Sequence, residues 1–208
     1  MSDEVNTQQR KSRLVIIALA LLFIVPLLIA VIMLAMPAMR GLTGTTNYGE
    51  LIEPPRPLTG LSLLDETGSD IGIRALEGRW TYLMFIKSVC NNQCADNLIK
   101  TRQIWFALGK DANRTQRWLV YNKPVSFDAG QSLTAEYPNL YVVYAENVQQ
   151  LRKLFIQSGE NAEALYAYTY LIDPIGNLMM RYTNDADASK MLKDMKRLLK
   201  VSWIRPSQ

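Results

Sequence analysis

The central passage of the chain reads Trp80-Thr81-Tyr82-Leu83-Met84-Phe85-Ile86-Lys87-Ser88-Val89-Cys90-Asn91-Asn92-Gln93-Cys94. Its first part, up to Ile86, is an almost continuous apolar and aromatic run, which is typical of a strand buried on both faces. The spacing of Leu98, Ile104 and Leu108 then predicts a helix. Two cysteines therefore lie where a buried strand ends and a helix begins.

The spacing of these cysteines predicts where each one sits. Side chains four residues apart in a helix have Cβ atoms about 5–6 Å apart, whereas a relaxed disulfide holds its Cβ atoms about 3.8 Å apart. Cys90 must therefore lie in the loop if it is to bond to Cys94. The amides and dipole of the helix N-terminus favour a thiolate at this point, and Lys87 adds positive charge nearby. This environment favours a nucleophile or a soft-metal ligand.

A plain stabilising disulfide is the alternative interpretation of the pair, because an oxidising compartment permits one. So short a ring removes little entropy from the unfolded chain, which favours a reactive or metal-binding pair. Structural zinc is not expected, because it needs four soft ligands and the chain has two cysteines and no histidine. The absence of histidine also excludes Ser-His-Asp and Cys-His catalysis.

The remaining elements follow from apolar periodicity and from turn residues. We predict a hairpin formed by 61–64 and 71–73, strands at 117–121 and 140–144, a helix at 148–155, a second hairpin formed by 166–172 and 178–182, and a closing helix at 187–199. This order of elements predicts an α/β fold, in which a small sheet is covered by helices on both faces.

The N-terminal part contains a long apolar segment. From Leu14 to Met36 no side chain is charged or polar, and a helix of this length reaches about 34 Å, enough to cross a bilayer. A cleaved signal peptide is the alternative, but the run exceeds the roughly 7–15 residues of a signal h-region. Arg10, Lys11 and Arg13 precede the segment and only Arg40 follows closely, so the N-terminus is expected in the cytoplasm.

These signals divide the chain into a cytoplasmic N-terminus at 1–13, a transmembrane anchor at 14–39, a Pro-containing tether at 40–60 and an α/β domain at 61–208. The domain is expected outside the cytoplasm, in a bacterial periplasm or an equivalent compartment such as an intermembrane space. An oxidising compartment of this kind allows thiol chemistry that the cytoplasm would suppress.

The closing helix carries basic residues at steps of three and four, namely Lys190, Lys193, Lys196, Arg197 and Lys200. This pattern is typical of the solvated face of an amphipathic helix. Docking to a membrane surface or to a partner protein is the alternative. No nucleic-acid partner is expected, because the net charge of the whole chain is only +4 and no basic stripe runs through the domain.

The anchor, the tether, the first hairpin, the buried strand, the Cys-x3-Cys pair and the turn Tyr170-Leu171-Ile172-Asp173-Pro174-Ile175-Gly176-Asn177 together resemble the Sco/SenC family. Proteins of that family have a thioredoxin fold and serve cytochrome c oxidase biogenesis through copper and thiol chemistry. The resemblance covers about residues 58–200. It implies a thioredoxin-like sheet flanked by helices, a bacterial inner-membrane location, Cu(I) as a candidate cofactor and a copper-carrying oxidase subunit as a candidate partner.

The chain departs from the family pattern at two places. Asn91 and Ala95 stand beside the cysteines where relatives usually carry proline. The histidine that relatives use as third copper ligand falls near Leu165, with Tyr166 and Glu163 adjacent. The copper assignment therefore carries over only to Cys90 and Cys94.

Methionine is a candidate for the missing ligand, because thioether sulfur suits Cu(I). Met84, Met179 and Met180 lie on the predicted strands. Core packing is the simpler interpretation of all three, since methionine commonly fills gaps between apolar strands.

Two hypotheses for the function remain open. In the first, the domain is a thiol–disulfide oxidoreductase or weak Cu(I) carrier, with Cys90 as attacking thiolate and Cys94 as resolving partner. In the second, it is a non-catalytic, membrane-tethered binding module for the assembling oxidase, and the two cysteines form a structural disulfide.

Overall fold

The computed structural model describes residues 2–35, 47–65, 67–122, 133–134, 137 and 139–202. The chain separates into two units, residues 1–46 and residues 47–208. The last part of the predicted anchor, 36–39, and the first part of the predicted tether, 40–46, lie outside the described residues.

The first unit contains one long helix, α1, from Ser2 to Ala35, with Pro26 inside it. Its segment Arg13–Ile32 has a mean hydropathy of 3.4 over 20 residues, and none of it is buried within the structure. At about 1.5 Å per residue this segment matches the roughly 30 Å hydrocarbon core of a bilayer. The N-terminal apolar helix is thus a candidate membrane span.

The second unit is built on a seven-stranded sheet with the order β1-β7-β6-β3-β4-β5-β2. The strands are β1 Glu50–Pro57, β2 Leu63–Leu64, β3 Trp80–Ile86, β4 Thr115–Tyr121, β5 Leu140–Ala145, β6 Tyr168–Ile172 and β7 Asn177–Thr183. Strand β3 pairs in parallel with β4 and antiparallel with β6. All of its residues are buried, which confirms the predicted central strand.

The helices that cover the sheet include α2 Asn92–Ala107, α3 Val148–Phe155 and α4 Ala188–Val201. Short 3-10 helices occupy Ile73–Leu76, Gly109–Arg114 and Ala162–Tyr166. Helix α3 packs on one face of the sheet, and α2 and α4 pack on the other. The domain therefore has the layered α/β architecture that the sequence predicts.

The alternation of side chains along β3 explains why this strand is apolar throughout. On the α3 face, Phe85 packs edge-to-face against Phe155 and Tyr170, with ring centroids 4.8 and 5.6 Å apart. On the opposite face, Tyr82 joins the cluster that contains Ile104 of α2 and Met195 of α4. Each face of β3 thus contributes to a separate part of the core.

Two predicted elements differ in the structure. The first hairpin forms only in part. Leu64 makes an antiparallel bridge to Asp70, and the N–H of Ile71 donates to the carbonyl of Leu63 over 2.9 Å. Leu63 and Leu64 also pair with β5, and the second predicted segment continues into the 3-10 helix Ile73–Leu76. Leu63 is fully buried, so burial against β5 stabilises this segment together with the pairing across the turn. The second half of the predicted tether, in turn, forms β1.

Strand β1 lies at one edge of the sheet and pairs antiparallel with β7. It contains Pro54, Pro55 and Pro57, which lack the N–H groups that a central strand needs. Its pairing is accordingly interrupted between Leu51 and Arg56. The Arg56 side chain donates instead to the carbonyl of Ile156, at the end of α3, over 2.9 Å.

The start of the domain is fastened to α4 by a buried carboxylate. Asp194 is 1% exposed, and its Oδ2 accepts hydrogen bonds from the backbone N–H groups of Tyr48, over 2.9 Å, and Gly49, over 3.0 Å. The hydroxyl of Tyr182 donates to the same oxygen over 3.2 Å. A Cβ atom at Gly49 would lie 2.7 Å from Tyr182 Cε1 and would also collide with the Met180 side chain. Only glycine fits this close approach.

A second buried charge ties β1 to β7. Arg181 is 5% exposed and donates to both carboxylate oxygens of Glu50, each over 2.9 Å. It also pairs with Glu160 at 2.7 Å and lies 4.1 Å from the ring centroid of Tyr168. Burial opposes ionisation of Glu160, but hydrogen bonds from Gln157 and Arg181 outweigh it and lower the pKa of this carboxyl. The guanidinium is therefore well compensated.

Candidate thiol–disulfide site

The cysteine pair lies at the carboxyl end of the central strand. Strand β3 ends at Ile86 and α2 begins at Asn92, so Cys90 is in the connecting loop and Cys94 is in the first helical turn. The two cysteines form a disulfide with a Cα–Cα distance of 5.2 Å. This placement confirms that Cys90 must leave the helix to reach Cys94.

Asn91 fixes the start of α2. It is the N-cap residue, and its Oδ1 accepts a hydrogen bond from the backbone N–H of Cys94 over 3.0 Å. Asparagine is among the best residues at this position, because its side chain replaces a hydrogen bond that the first turn lacks. Asn91, which stands where Sco/SenC proteins usually carry proline, therefore orients the turn that holds Cys94.

The two cysteines differ in accessibility. Cys94 is 8% exposed and packs with Leu98 and Tyr121 in the core, whereas Cys90 is half-buried. Val89, immediately before Cys90, is 77% exposed. A macromolecule approaching this loop therefore meets Cys90 before it meets Cys94.

A cavity of about 410 Å³ lies beside the pair. Its lining includes Met84, Lys87, Cys94, Asn97, Glu163, Tyr166 and Asn184. A larger cavity of about 810 Å³ has Trp118 and Tyr141 among its lining residues, and neither cysteine lines it. The candidate site is the smaller cavity, because Cys94 is one of its lining residues.

Charged and aromatic side chains stand at the edge of the smaller cavity. Lys87 Nζ lies 2.7 Å from Glu163 Oε2 and 5.2 Å from the ring centroid of Tyr166. The Lys87 and Glu163 side chains are 58% and 67% exposed, so this ion pair contributes little to stability. It does supply a positive and a negative charge within reach of a ligand in the cavity.

Three asparagines hold Tyr166 in place, and sequence reasoning did not find them. The side chain of Asn122 donates to the Tyr166 hydroxyl. Asn184 donates to the backbone carbonyl of Tyr166 over 3.0 Å, and it accepts from Asn97 of α2 over 2.8 Å. The one feature of the sequence that could have indicated this group is Asn97, an amide side chain on the buried face of a helix.

The structure also locates the residues considered as a third copper ligand. Leu165 is fully buried in the α3-side core, whereas Glu163 and Tyr166 line the cavity. Met84 lines it as well, but Met179 and Met180 belong to the cluster packed against α4. Among the described residues, no group of three or more His, Cys, Asp or Glu side chains could hold a metal ion.

The side chains that could bind copper at this site are therefore sulfur ligands. Thiolate and thioether sulfur suit Cu(I), and the cysteines become thiolate ligands only when their disulfide is reduced. Cys90 and Cys94 would then hold Cu(I), with Met84 as the neighbouring thioether.

Residues 80–202 match the family described as transmembrane-like, thioredoxin-like, C-terminal domain. A sequence comparison with curated proteins gives no match.

Several solved structures have a similar fold. Apo Sco1 from Thermus thermophilus is 17% identical, with a TM-score of 0.58 over 74% of this chain and 98% of that one. Copper-bound ScoI from Arabidopsis thaliana is 17% identical, with a TM-score of 0.54 over 68% and 97%. BsSco, described as a Sco-family cytochrome c oxidase assembly protein with a disulfide switch, is 15% identical, with a TM-score of 0.55 over 74% and 99%.

At these identities the likeness concerns the fold, and it confirms the resemblance to Sco proteins at that level. The matched family adds the thioredoxin-like assignment, which agrees with the observed sheet and its flanking helices. Because residues 80–202 make up more than half of the chain, the protein belongs to the transmembrane-like, thioredoxin-like family.

Proposed function

We propose that this protein is a membrane-anchored thiol–disulfide oxidoreductase that assists cytochrome c oxidase assembly. One observation carries the proposal: a disulfide joins a half-buried Cys90 in a loop to a buried Cys94 in the first turn of α2. The position of the cysteines, in a loop and at the N-terminus of α2, favours a reactive pair. The backbone amides and the dipole of the helix stabilise a thiolate there. The adjoining cavity is lined by Cys94 and by Val89 and Asn91, the two neighbours of Cys90 in the chain.

The exchange runs through a mixed disulfide. In the reduced domain, the Cys90 thiolate attacks one sulfur of a partner disulfide, and the other partner sulfur leaves as a thiolate. Cys94 then loses its proton and attacks Cys90 Sγ, which re-forms the Cys90–Cys94 bond and releases the second partner thiolate. Two electrons pass to the partner, and a dithiol reductant must restore the domain for another cycle.

The oxidase assignment rests on the fold and on the sequence resemblance. BsSco, whose fold is similar, is described as a member of a cytochrome c oxidase assembly family. A copper site built from cysteines needs reduced thiols before metal can bind. The partner we propose is therefore an oxidase subunit that carries a copper site.

The location follows from the charge bias around α1. Arg10, Lys11 and Arg13 lie before the apolar span, so the N-terminus belongs in the cytoplasm. The thioredoxin-like domain then lies on the opposite side, in the periplasm of a bacterial inner membrane. Disulfides persist in that compartment, in agreement with the bond between Cys90 and Cys94.

Cu(I) is a second substrate that the donor set supports. Copper-bound ScoI of Arabidopsis thaliana shares the fold, and the two cysteine sulfurs suit Cu(I) once they are reduced. This chain lacks histidine, so its site has no imidazole ligand. We therefore propose weak Cu(I) handling alongside thiol exchange.

A non-catalytic binding module is the competing function, and the burial of Cys94 favours it. A disulfide with one sterically protected sulfur is harder to reduce through that sulfur. The reduction potential discriminates between the two functions, since structural disulfides in secreted proteins typically fall below about −300 mV.

For the oxidoreductase, we expect the Cys90–Cys94 couple to have a potential above about −300 mV, because the helix N-terminus stabilises the reduced thiolate form. The full chain in detergent can be equilibrated with dithiol buffers, and its free thiols counted by alkylation and mass spectrometry. Cys90→Ser is the matched control, and it should show one free thiol at every redox potential of the buffer. A wild-type potential below about −300 mV would support the binding module.

For copper, we expect the reduced protein to bind at most one Cu(I), weakly, because two thiolates without imidazole leave the ion poorly enclosed. Competition against a chromogenic Cu(I) chelator measures the affinity. Cys90→Ser and Cys94→Ser should each abolish binding, whereas Met84→Leu should keep the stoichiometry. A stable Cu(II)–thiolate absorption band in the wild-type protein would contradict this site.

A further inference from the structure

The outer face of α4 is strongly basic. It presents five exposed cations, Lys190, Lys193, Lys196, Arg197 and Lys200, which we call the basic face. These residues extend along about 15 Å of helix, at about 1.5 Å per residue. Met191, Met195 and Leu199 occupy the inner face and pack in the core.

Within α4, no exposed acidic side chain stands between these cations. The one acid within α4 is Asp194, which points inward and is 1% exposed. Asp185 and Asp187 lie before the helix, and Asp187 caps its first turn by accepting from the N–H of Ser189 over 2.7 Å. A solvated helix face usually alternates Glu and Lys, because like charges three or four residues apart repel each other. This composition favours an anionic surface as the binding partner.

The helix that carries the basic face is hydrogen-bonded to the first residues of the second unit. Asp194 binds the backbone of Tyr48 and Gly49, at the start of the second unit. From Ala35, where α1 ends, to Asn47 the chain can span at most about 40 Å even when fully extended. The helix that carries the cations is thus fastened to the first residues that follow this short connection.

Tyr48 adds an amphipathic group to this surface. Its side chain is 48% exposed, and Lys190 and Lys193 lie 5.7 and 5.8 Å from its ring centroid. Tyrosine is enriched at membrane–water interfaces, where one end of the side chain is apolar and the other is wet. Cations around an exposed tyrosine suit the head-group region of a bilayer.

We propose that the basic face and Tyr48 bind the anionic lipid head groups of the bilayer that α1 spans. The occupant is a lipid surface carrying phosphate charges, and the attraction comes from the basic side chains near that surface. The inference rests on the proposed membrane anchor and not on the thiol chemistry, so each can fail alone.

Such binding would also position the cysteine site. Gln93 and Asn97, in the first turns of α2, donate to Asn184, which lies shortly before the first residue of α4. The cysteine-bearing end of α2 is therefore adjacent to the N-terminal end of the basic face. Lipid binding would hold the cavity near the membrane surface, where the extramembrane parts of an integral membrane partner lie.

The test is lysine footprinting of the full chain in nanodiscs. Discs of phosphatidylcholine alone are compared with discs that also contain phosphatidylglycerol, using an amine-reactive ester at low conversion and mass spectrometry. We expect Lys190, Lys193, Lys196 and Lys200 to react several-fold more slowly in the anionic discs. Salt at about 0.5 M should remove the difference, because it shortens the Debye length to a few ångströms.

Lys110 and Lys153 are the matched controls, since both are exposed and lie outside α4. Their rates should be the same in both kinds of disc. Replacing Lys193, Lys196 and Arg197 together by glutamine should restore the rates of Lys190 and Lys200. Equal rates in the two discs, protection that does not depend on lipid charge, or protection that requires an added acidic protein would each overturn the proposal.

Discussion

Cys94→Ser should trap the protein in mixed disulfides through Cys90. In this variant the half-buried Cys90 can still attack a partner disulfide, but no resolving thiol remains to release the partner. Non-reducing electrophoresis of cells that express the full chain should therefore show a slower band that disappears with reductant. Mass spectrometry of that band should identify an oxidase subunit with a copper site, and most of the oxidase activity should be lost.

Cys90→Ser is the matched control for this experiment. Its remaining thiol, Cys94, is 8% exposed, so it should capture far less partner. Neither substitution should unfold the domain, because the chain-entropy model assigns a ring of this size only about 2 kcal/mol. Normal oxidase assembly in the double variant, with no trapped complex in either single variant, would establish the binding module instead.

Asp194→Ala should produce a large loss of stability in the domain. It leaves the partly buried N–H of Tyr48, the buried N–H of Gly49 and the buried hydroxyl of Tyr182 without their acceptor. Unsatisfied buried donors cost about 1–3 kcal/mol each, so we expect a loss of about 3–5 kcal/mol in the free energy of unfolding. For a domain of this size the melting temperature should fall by roughly 10 °C.

Two further variants show whether the loss comes from the acceptor. Asp194→Asn keeps an acceptor oxygen at nearly the same place and should be less destabilised than Asp194→Ala. Asp96→Ala removes an exposed carboxylate from α2 and should change stability by less than about 0.5 kcal/mol. Near-UV circular dichroism of the full chain in detergent measures all three, and a near-neutral Asp194→Ala would show that Asp194 does not fasten the start of the domain.

The parts of the fold that the sequence predicted well are those with local signals. The apolar run of β3 is long enough to require burial on both faces. The turn between β6 and β7 is fixed by its own residues, because Asp173 accepts from the N–H groups of Ile175 and Asn177 over 3.0 and 2.8 Å. Such elements carry their structural information within a few residues.

Strand β1 was missed because its stabilising contacts are remote. Three prolines within 50–57 are typical of an extended linker, and the partner residues of the strand lie more than 100 positions away, as in the pair Glu50–Arg181. The buried Arg181 stabilises this pairing, but nothing in the sequence distinguishes it from any other residue of a strand. Long-range pairing of this kind leaves no periodic pattern in β1 itself.

The same distinction applies to the candidate site. The positions of Cys90 and Cys94 followed from helix geometry alone, whereas the contacts that hold Tyr166 did not. Asn97 and Asn184 are 87 positions apart, and Asn122 and Tyr166 are 44 positions apart. Each asparagine alone is unremarkable, and only the folded sheet brings them together beside the cysteines.

The composition of β1 has a consequence for how copies of the protein coexist. An open sheet edge is a template for strand pairing between chains. In β1, which forms one edge of the sheet, Pro54, Pro55 and Pro57 offer no N–H donors. A strand from another copy therefore cannot pair continuously along this edge, so β1 resists edge-to-edge aggregation of the domain.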